Sequence, residues 1–299
     1  MSGNEAESKG ELERLCERAL EGDLEALETL MDRLRDPVYG LSLRMLFHPQ
    51  DAEDAAQEIA IRILTHLSEF RGEGRFLNWA MRIAANYLIN VCRRRRLERL
   101  TFKDVGEDLD SGWDQARPLR TTGAETRLLV EEVKIGCSMA ILMCLDRGKR
   151  LAYILGEVLE VSSEEGAYIL DISPAAFRKR LSRAREALTD FMSTKCGLVD
   201  AGNRCSCPAR LPVAVAKRRL DPERLLFATH PRIASDSTAR GSADAPEVDM
   251  AAVHRTIREV TTLEKVAAVY RSHPHYRGPD SFSKAVRALV KSGRFRSLT

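Results

Sequence analysis

The chain has 299 residues, 44% of them hydrophobic and 30% charged, with a formal net charge of +3 at pH 7. That apolar share supports a packed core and excludes wholesale disorder, and the length suggests about two domains. No apolar run reaches the ~20 residues of a membrane span, and the acidic, polar N-terminus lacks the basic-then-apolar order of a secretory signal. A cytoplasmic protein with no membrane contact is expected.

Aromatics are only 6%, and alternating β-branched runs are scarce, which favours helices over sandwiches and barrels. The small net charge hides an asymmetry. Residues 195–299 carry 19 Lys/Arg against 10 Asp/Glu, a net of +9, so residues 1–194 carry −6. Any nucleic-acid contact in the first part must be a local patch. Cysteines stand at 16, 92, 137, 144, 196, 205 and 207, an odd number that argues against a disulfide framework.

In chain order, residues 11–34 read as an amphipathic helix interrupted at Gly22-Asp23. A second apolar stretch, 38–47, ends at His48-Pro49. A third helix spans 51–70, with acids in its first turn, where the helix dipole favours them. Arg71-Gly72-Glu73-Gly74 is a loop, and a fourth helix, 76–96, finishes in four arginines. Residues 101–124 are acidic and punctuated by Gly, Pro and Thr, and read as a linker.

Helices resume near 125 and run to 192. Ser162 and Glu165 form a capping-box pattern, and Ser173-Pro174 is an N-cap followed by proline at the first helical position. Two short helices across a tight turn make a helix-turn-helix. In the second, Phe177, Leu181, Ala184 and Leu188 form one apolar stripe, and Arg178, Lys179, Arg180, Ser182, Arg183 and Arg185 occupy the other faces. A recognition helix needs that division, one side buried and the other offering donors to groove and phosphates. A solvated basic helix in an ordinary bundle is the plainer alternative. Residues 195–246 look loop-like. Two further helices are expected at 248–270 and 281–291.

A second cluster precedes these. In 70–79 aromatic and basic residues interleave around a glycine loop, followed by Arg82, Asn86 and the arginines 93–96. Single-stranded DNA binding uses ring faces for stacking and amides and guanidiniums for base edges and phosphates. Against this, Phe76 and Trp79 also fit as core anchors. The acids and amides at 51–58 beside Ile59, Ile61 and Ile63 suit a protein partner or simply a dipole-favoured helix start.

The runs 51–58 and 70–86 with the arginines after them resemble the second conserved region of bacterial extracytoplasmic-function (ECF) sigma factors, in the sigma-70 family. Residues 170–185 resemble that family's fourth region. The resemblance covers about 11–193. It implies an all-α protein: region 2 at 11–100, a linker at 101–124, a region 4 helix-turn-helix at 125–193, and a small, mostly helical C-terminal extension at 194–299.

The resemblance also implies roles. Asp51, Asp54, Gln57, Glu58 and Ile61 would dock on the clamp helices of the largest subunit of core RNA polymerase. Phe70, Arg71, Arg75, Phe76, Asn78, Trp79, Arg82 and Asn86 would open the promoter −10 element and hold its strand, with Arg93, Arg94, Arg95 and Arg96 on phosphates. Ser173, Ala175, Arg178, Lys179, Ser182, Arg183 and Arg185 would meet the −35 element. Asp171 stands where relatives often carry glycine, and Asp tolerates the left-handed turn. The implied function is promoter recognition and strand opening, with no active site and no required cofactor. The alternative is a free-standing helix-turn-helix regulator.

The tail adds three questions. Cys196, Cys205 and Cys207, with His230, are a candidate zinc set, although Cys-x-Cys is not the usual knuckle spacing. The same thiols are a candidate redox set, or simply buried or incidental cysteines. The tail's positive charge suggests either phosphate contacts upstream of the promoter or folding against the acidic first part, the second in place of a separate anti-sigma protein.

Overall fold

The computed structural model describes residues 2–72, 74–95, 100–114, 116–117, 119, 121–233 and 262–291. Among these there are helices and no β-strand, and no helix is long and apolar enough to cross a membrane. The chain forms two compact units. Unit one draws on 1–99, 145–181 and 276–299, and unit two on 100–144 and 182–275. The helices expected as one domain over 125–193 are thus divided between the two.

Unit one contains α1 (Ser2–Leu20), α2 (Leu24–Leu46), α3 (Pro49–Thr65) and α4 (Phe76–Arg95). The break between α1 and α2 falls where Gly22 takes φ +96° and the Asp23 carboxylate caps the N–H groups of Glu25 and Ala26. α2 continues through Pro37, so the stretches expected at 11–34 and 38–47 do not part there. An interior proline costs a helix about 3 kcal/mol. Burial of Leu34, Val38, Tyr39, Leu41 and Leu43 around it offsets that.

Unit one continues with α7 (Arg147–Tyr153), a five-residue π turn (Ile154–Val158), α8 (Ser163–Leu170) and the start of α9 (Pro174–Lys195). Arg150 is fully buried and donates to the carbonyls of Met45, at the end of α2, and Leu145. A guanidinium there satisfies carbonyls that a helix end leaves open. Gly166 faces Phe177 so closely that an added Cβ would lie 2.3 Å from the ring. The two helices of the turn meet at that point. The last element is α12 (Asp280–Lys291).

Unit two holds α5 (Phe102–Asp110), α6 (Gly123–Met143), α10 (Cys207–Ala216) and the described part of α11, 262–271. The acidic stretch read as a linker therefore begins with a helix. Thr101 and Asp104 cap it reciprocally, and Val105 and Leu109 bury its inner face. The tail is not loop throughout either. Leu211, Ala214 and Leu220 pack on Leu129 and Val133 of α6. The buried Glu132 carboxylate accepts the N–H groups of Leu226, Phe227 and Ala228 at 2.7–2.9 Å. Arg210 and Lys217 converge on Asp108, and Ser138 meets His273 at 2.7 Å. Of the helix expected at 248–270, residues 248–261 lie outside the described residues.

Candidate nucleic-acid interface

The start of α4 is fixed from two directions. The backbone N–H of Phe76 donates to the Glu13 carboxylate at 2.7 Å, a charge-assisted cap at the positive helix end. The rings of Phe70, Phe76 and Trp79 form a triangle with centroids 5.0–5.7 Å apart. Gly72 and Gly74 turn the preceding loop with φ of +74° and +87°.

Phe76 is completely buried, which favours the core-anchor reading of its ring over a place against a DNA base. Phe76→Ala should cost about 3–5 kcal/mol in chemical denaturation. A loss below ~1 kcal/mol would return the ring to the DNA-facing set. Phe70 and Trp79 are half-buried.

Next to this triangle three polar side chains meet the helix-turn-helix. Arg75 Nη1 and Asn78 Nδ2 both donate to Glu165 Oε1, at 3.1 and 3.2 Å. Arg82 Nη2 lies 2.7 Å from Asp171 Oδ1, and its guanidinium sits 5.3 Å from the Tyr168 ring centroid. Burial alone would raise the Glu165 pKa. Hydrogen bonds from Asn78, the Ser162 backbone, Arg75 and the Ser162 hydroxyl outweigh it and bring the value to about 2. Glu165 thus has two tasks, closing the capping box of α8 and holding Arg75 and Asn78.

Among the other residues of this set, Arg71, Asn86 and Arg93 are exposed. The side chains of Arg94 and Arg95, and the whole of Arg96, lie outside the described residues.

The helix-turn-helix has the expected local chemistry. Ser162 and Glu165 cap α8 reciprocally. Asp171 takes the left-handed conformation, φ 54° and ψ 50°, and the Ser173 hydroxyl accepts the N–H of Ala176 at 3.2 Å. Phe177, Leu181, Ala184 and Leu188 are buried. Ser173, Ala175, Arg178, Lys179, Ser182, Arg183 and Arg185 are all exposed. The contact of Arg178 with Glu164 is long, at 3.9 Å.

On α3, Asp54 is exposed and Asp51, Gln57, Glu58 and Ile61 are partly exposed, while Ile59 and Ile63 are buried. Glu58 pairs with Arg62 one turn on, at 2.9 Å.

The tail thiols are arranged differently from the expected zinc set. Among the described residues no three His, Cys, Asp or Glu side chains are placed to hold a metal ion, so Cys196, Cys205, Cys207 and His230 are not assembled as one. The neighbour that sequence spacing did not suggest is Cys137 on α6. Burial drives its thiol far above the ordinary 9.0, and Cys205, Cys196 and Cys207 push it further. Burial, with Cys196 and Cys205 beside it, pushes Cys207 up to about 11. At neutral pH Cys137 and Cys207 should therefore stay unlabelled by iodoacetamide in the folded chain and react in guanidinium, as mass spectrometry of each cysteine would register. Rapid labelling of folded Cys137 would contradict this environment.

The profile of the family described as Sigma-70 region 2 matches residues 30–98. Over 178 residues the chain is 32% identical to the ECF RNA polymerase sigma-E factor of Haemophilus influenzae, covering 58% of this chain and 91% of that one. It is 29% identical over 178 residues to the RNA polymerase sigma-H factor of Pseudomonas aeruginosa, covering 59% and 91%. With the ECF RNA polymerase sigma factor SigW of Bacillus subtilis it shares 27% over 179 residues, covering 59% and 94%. An all-helical chain with a helix-turn-helix, a region 2 match and relatives of this kind belongs to the ECF sigma factors of the sigma-70 family.

Proposed function

We propose that the chain directs core RNA polymerase to promoters, α9 reading the −35 element while the first turns of α4 open the −10 element and hold its strand. One observation carries the strand-holding part: two guanidiniums and an amide, on Arg75, Arg82 and Asn78, gather two carboxylates and a phenol ring. A strip that accepts anions beside a planar ring has the chemistry that single-stranded DNA requires. Trp79 and Phe70 flank it, and Arg71, Asn86 and Arg93 extend its positive side.

For DNA to take these groups, Glu165 and Asp171 must release them, so α8 and the promoter strand are alternative ligands of one strip. Asp51, Asp54, Gln57, Glu58 and Ile61 form the polymerase-docking side of α3. The factor carries out no reaction of its own and works where polymerase and DNA are, in the cytoplasm. An anti-sigma protein, if the cell makes one, acts on these same faces. A tail response to oxidation would run through Cys196, Cys205 and Cys207, with Cys137 beside them.

Permanganate footprinting tests the proposal. Thymines upstream of the start site should become reactive only when core polymerase and this chain are both present. Arg82→Ala should weaken that reactivity without lowering polymerase binding. Equal reactivity with and without the chain would reject the proposal.

A further inference from the structure

One feature of unit one belongs to neither DNA face. Glu28, Asp32 and Asp36 stand four residues apart on α2 and so form a single acidic stripe. The chain after residue 275 runs along that stripe in the opposite direction. The Gly278 N–H donates to Asp36 at 2.7 Å, the Ser283 hydroxyl donates to Asp32 at 2.5 Å, and Arg287 lies 3.5 Å from Glu28. From the adjacent helix α3, Glu53 accepts the Ser281 hydroxyl at 2.5 Å. Beneath these polar contacts Tyr276, Phe282 and Val286 are buried, with Phe282 completely so. Gly278 is required at the crossing, because an added Cβ would come within 2.6 Å of the Arg35 side chain and 3.0 Å of its carbonyl.

The matched order of acids and donors, over a buried apolar line, describes a socket for an amphipathic helix. Its position matters because Glu53 shares the i, i+4, i+8 stripe of α3 with Gln57 and Ile61. We infer that the α2–α3 face is such a socket, and that residues 276–287 are a removable occupant competing with core polymerase for it. The inference rests on the proposed docking of α3 on polymerase.

The character of the contacts suits a cover that comes off. The Arg287–Glu28 ion pair is largely exposed, and such pairs hold weakly. The hydroxyl contacts are neutral-to-charged bonds that water can replace. Burial of Tyr276, Phe282 and Val286 seats the helix, and the covalent link makes its return intramolecular and its effective concentration high. A docked helix then reduces apparent polymerase affinity by the fraction of time the socket stands open. It also gives the basic tail a task that its net +9 against −6 anticipated.

The test uses the full chain. Hydrogen exchange of 276–287 is measured in the free protein and in its complex with core polymerase. The expected result is protection when free and rapid exchange when bound. A full-length Ser281→Glu/Ser283→Glu variant places two carboxylates against Glu53 and Asp32. It should bind core polymerase about tenfold more tightly, as a socket open roughly a tenth of the time predicts. Adding Asp32→Lys should restore part of the cover. Persistent protection of 276–287 in a stable polymerase complex would overturn the inference and leave the sigma function standing. Failure of both full-length chains to bind polymerase would remove the docking on which it rests, and the inference with it.

Discussion

A Glu165→Gln/Asp171→Asn chain should bind a single-stranded −10 oligonucleotide about 5- to 30-fold more tightly than the parent. In the parent, Glu165 occupies Arg75 and Asn78, and Asp171 occupies Arg82. The pairs are partly exposed, with side-chain accessibilities of 37% and 27% for Arg75 and Glu165, and 33% and 70% for Arg82 and Asp171. Pairs of this kind hold about 0.5–1 kcal/mol each, so freeing both shifts the competition by about 1–2 kcal/mol.

The substitutions are chosen to spare the fold. Gln at this position still closes a capping box, and Asn still accepts the left-handed turn. The pH dependence has a fixed sign. The Glu165 pKa is depressed from an ordinary 4.5 to about 2, so the pairing is at full strength above 4.5 and is lost as pH falls towards 2. Between pH 6 and 8 the gap between parent and variant should therefore be flat. Equal affinities with unchanged thermal unfolding would show that α8 and DNA do not share the strip.

The second large effect lies on α9. Arg178, Lys179 and Arg183 are exposed beside a buried apolar stripe. Converting all three to alanine should leave helix and core intact and reduce affinity for a promoter duplex carrying the −35 element by roughly a hundredfold. That figure takes about 1 kcal/mol for each lost contact. The dependence on salt should change as well. Each phosphate contact contributes about 0.9 to the slope of log affinity against log salt, so the slope should shrink by up to about 2.7. An unchanged slope would mean that these side chains face solvent in the promoter complex.

The local rules that act within a few residues were legible in the sequence. The Ser162–Glu165 box, the Ser173 cap, the left-handed Asp171 and the buried stripe from Phe177 to Leu188 all depend on neighbours in the chain. Helix α5 was legible in principle. Thr101 and Asp104 carry a cap, and Val105 and Leu109 are one turn apart, but the surrounding acids pointed to a linker. Pro37 inside α2 and Pro212 inside α10 mislead for a different reason. A proline signals a break, and only tertiary burial shows when the helix persists through it.

What the sequence does not carry is pairing at long range. Glu165 meets Arg75 across 90 residues and Asn78 across 87, and Ser281 meets Glu53 across 228. Nothing in composition or period announces such partners. The approach of Cys137 to the tail thiols is hidden in the same way. Phe76 illustrates the opposite failure: a motif read for DNA also has to build a core, and burial decides which ring does which.

Initiation itself is the most direct test. Core RNA polymerase is mixed with genomic fragments of the source organism, with and without this chain, and the 5′ ends of the transcripts are mapped. A sigma factor should create new starts that share two upstream elements, one near −10 and one near −35. If the chain neither creates starts nor binds core polymerase, yet still binds duplex DNA, it acts as a free-standing regulator and the promoter-directing function is contradicted.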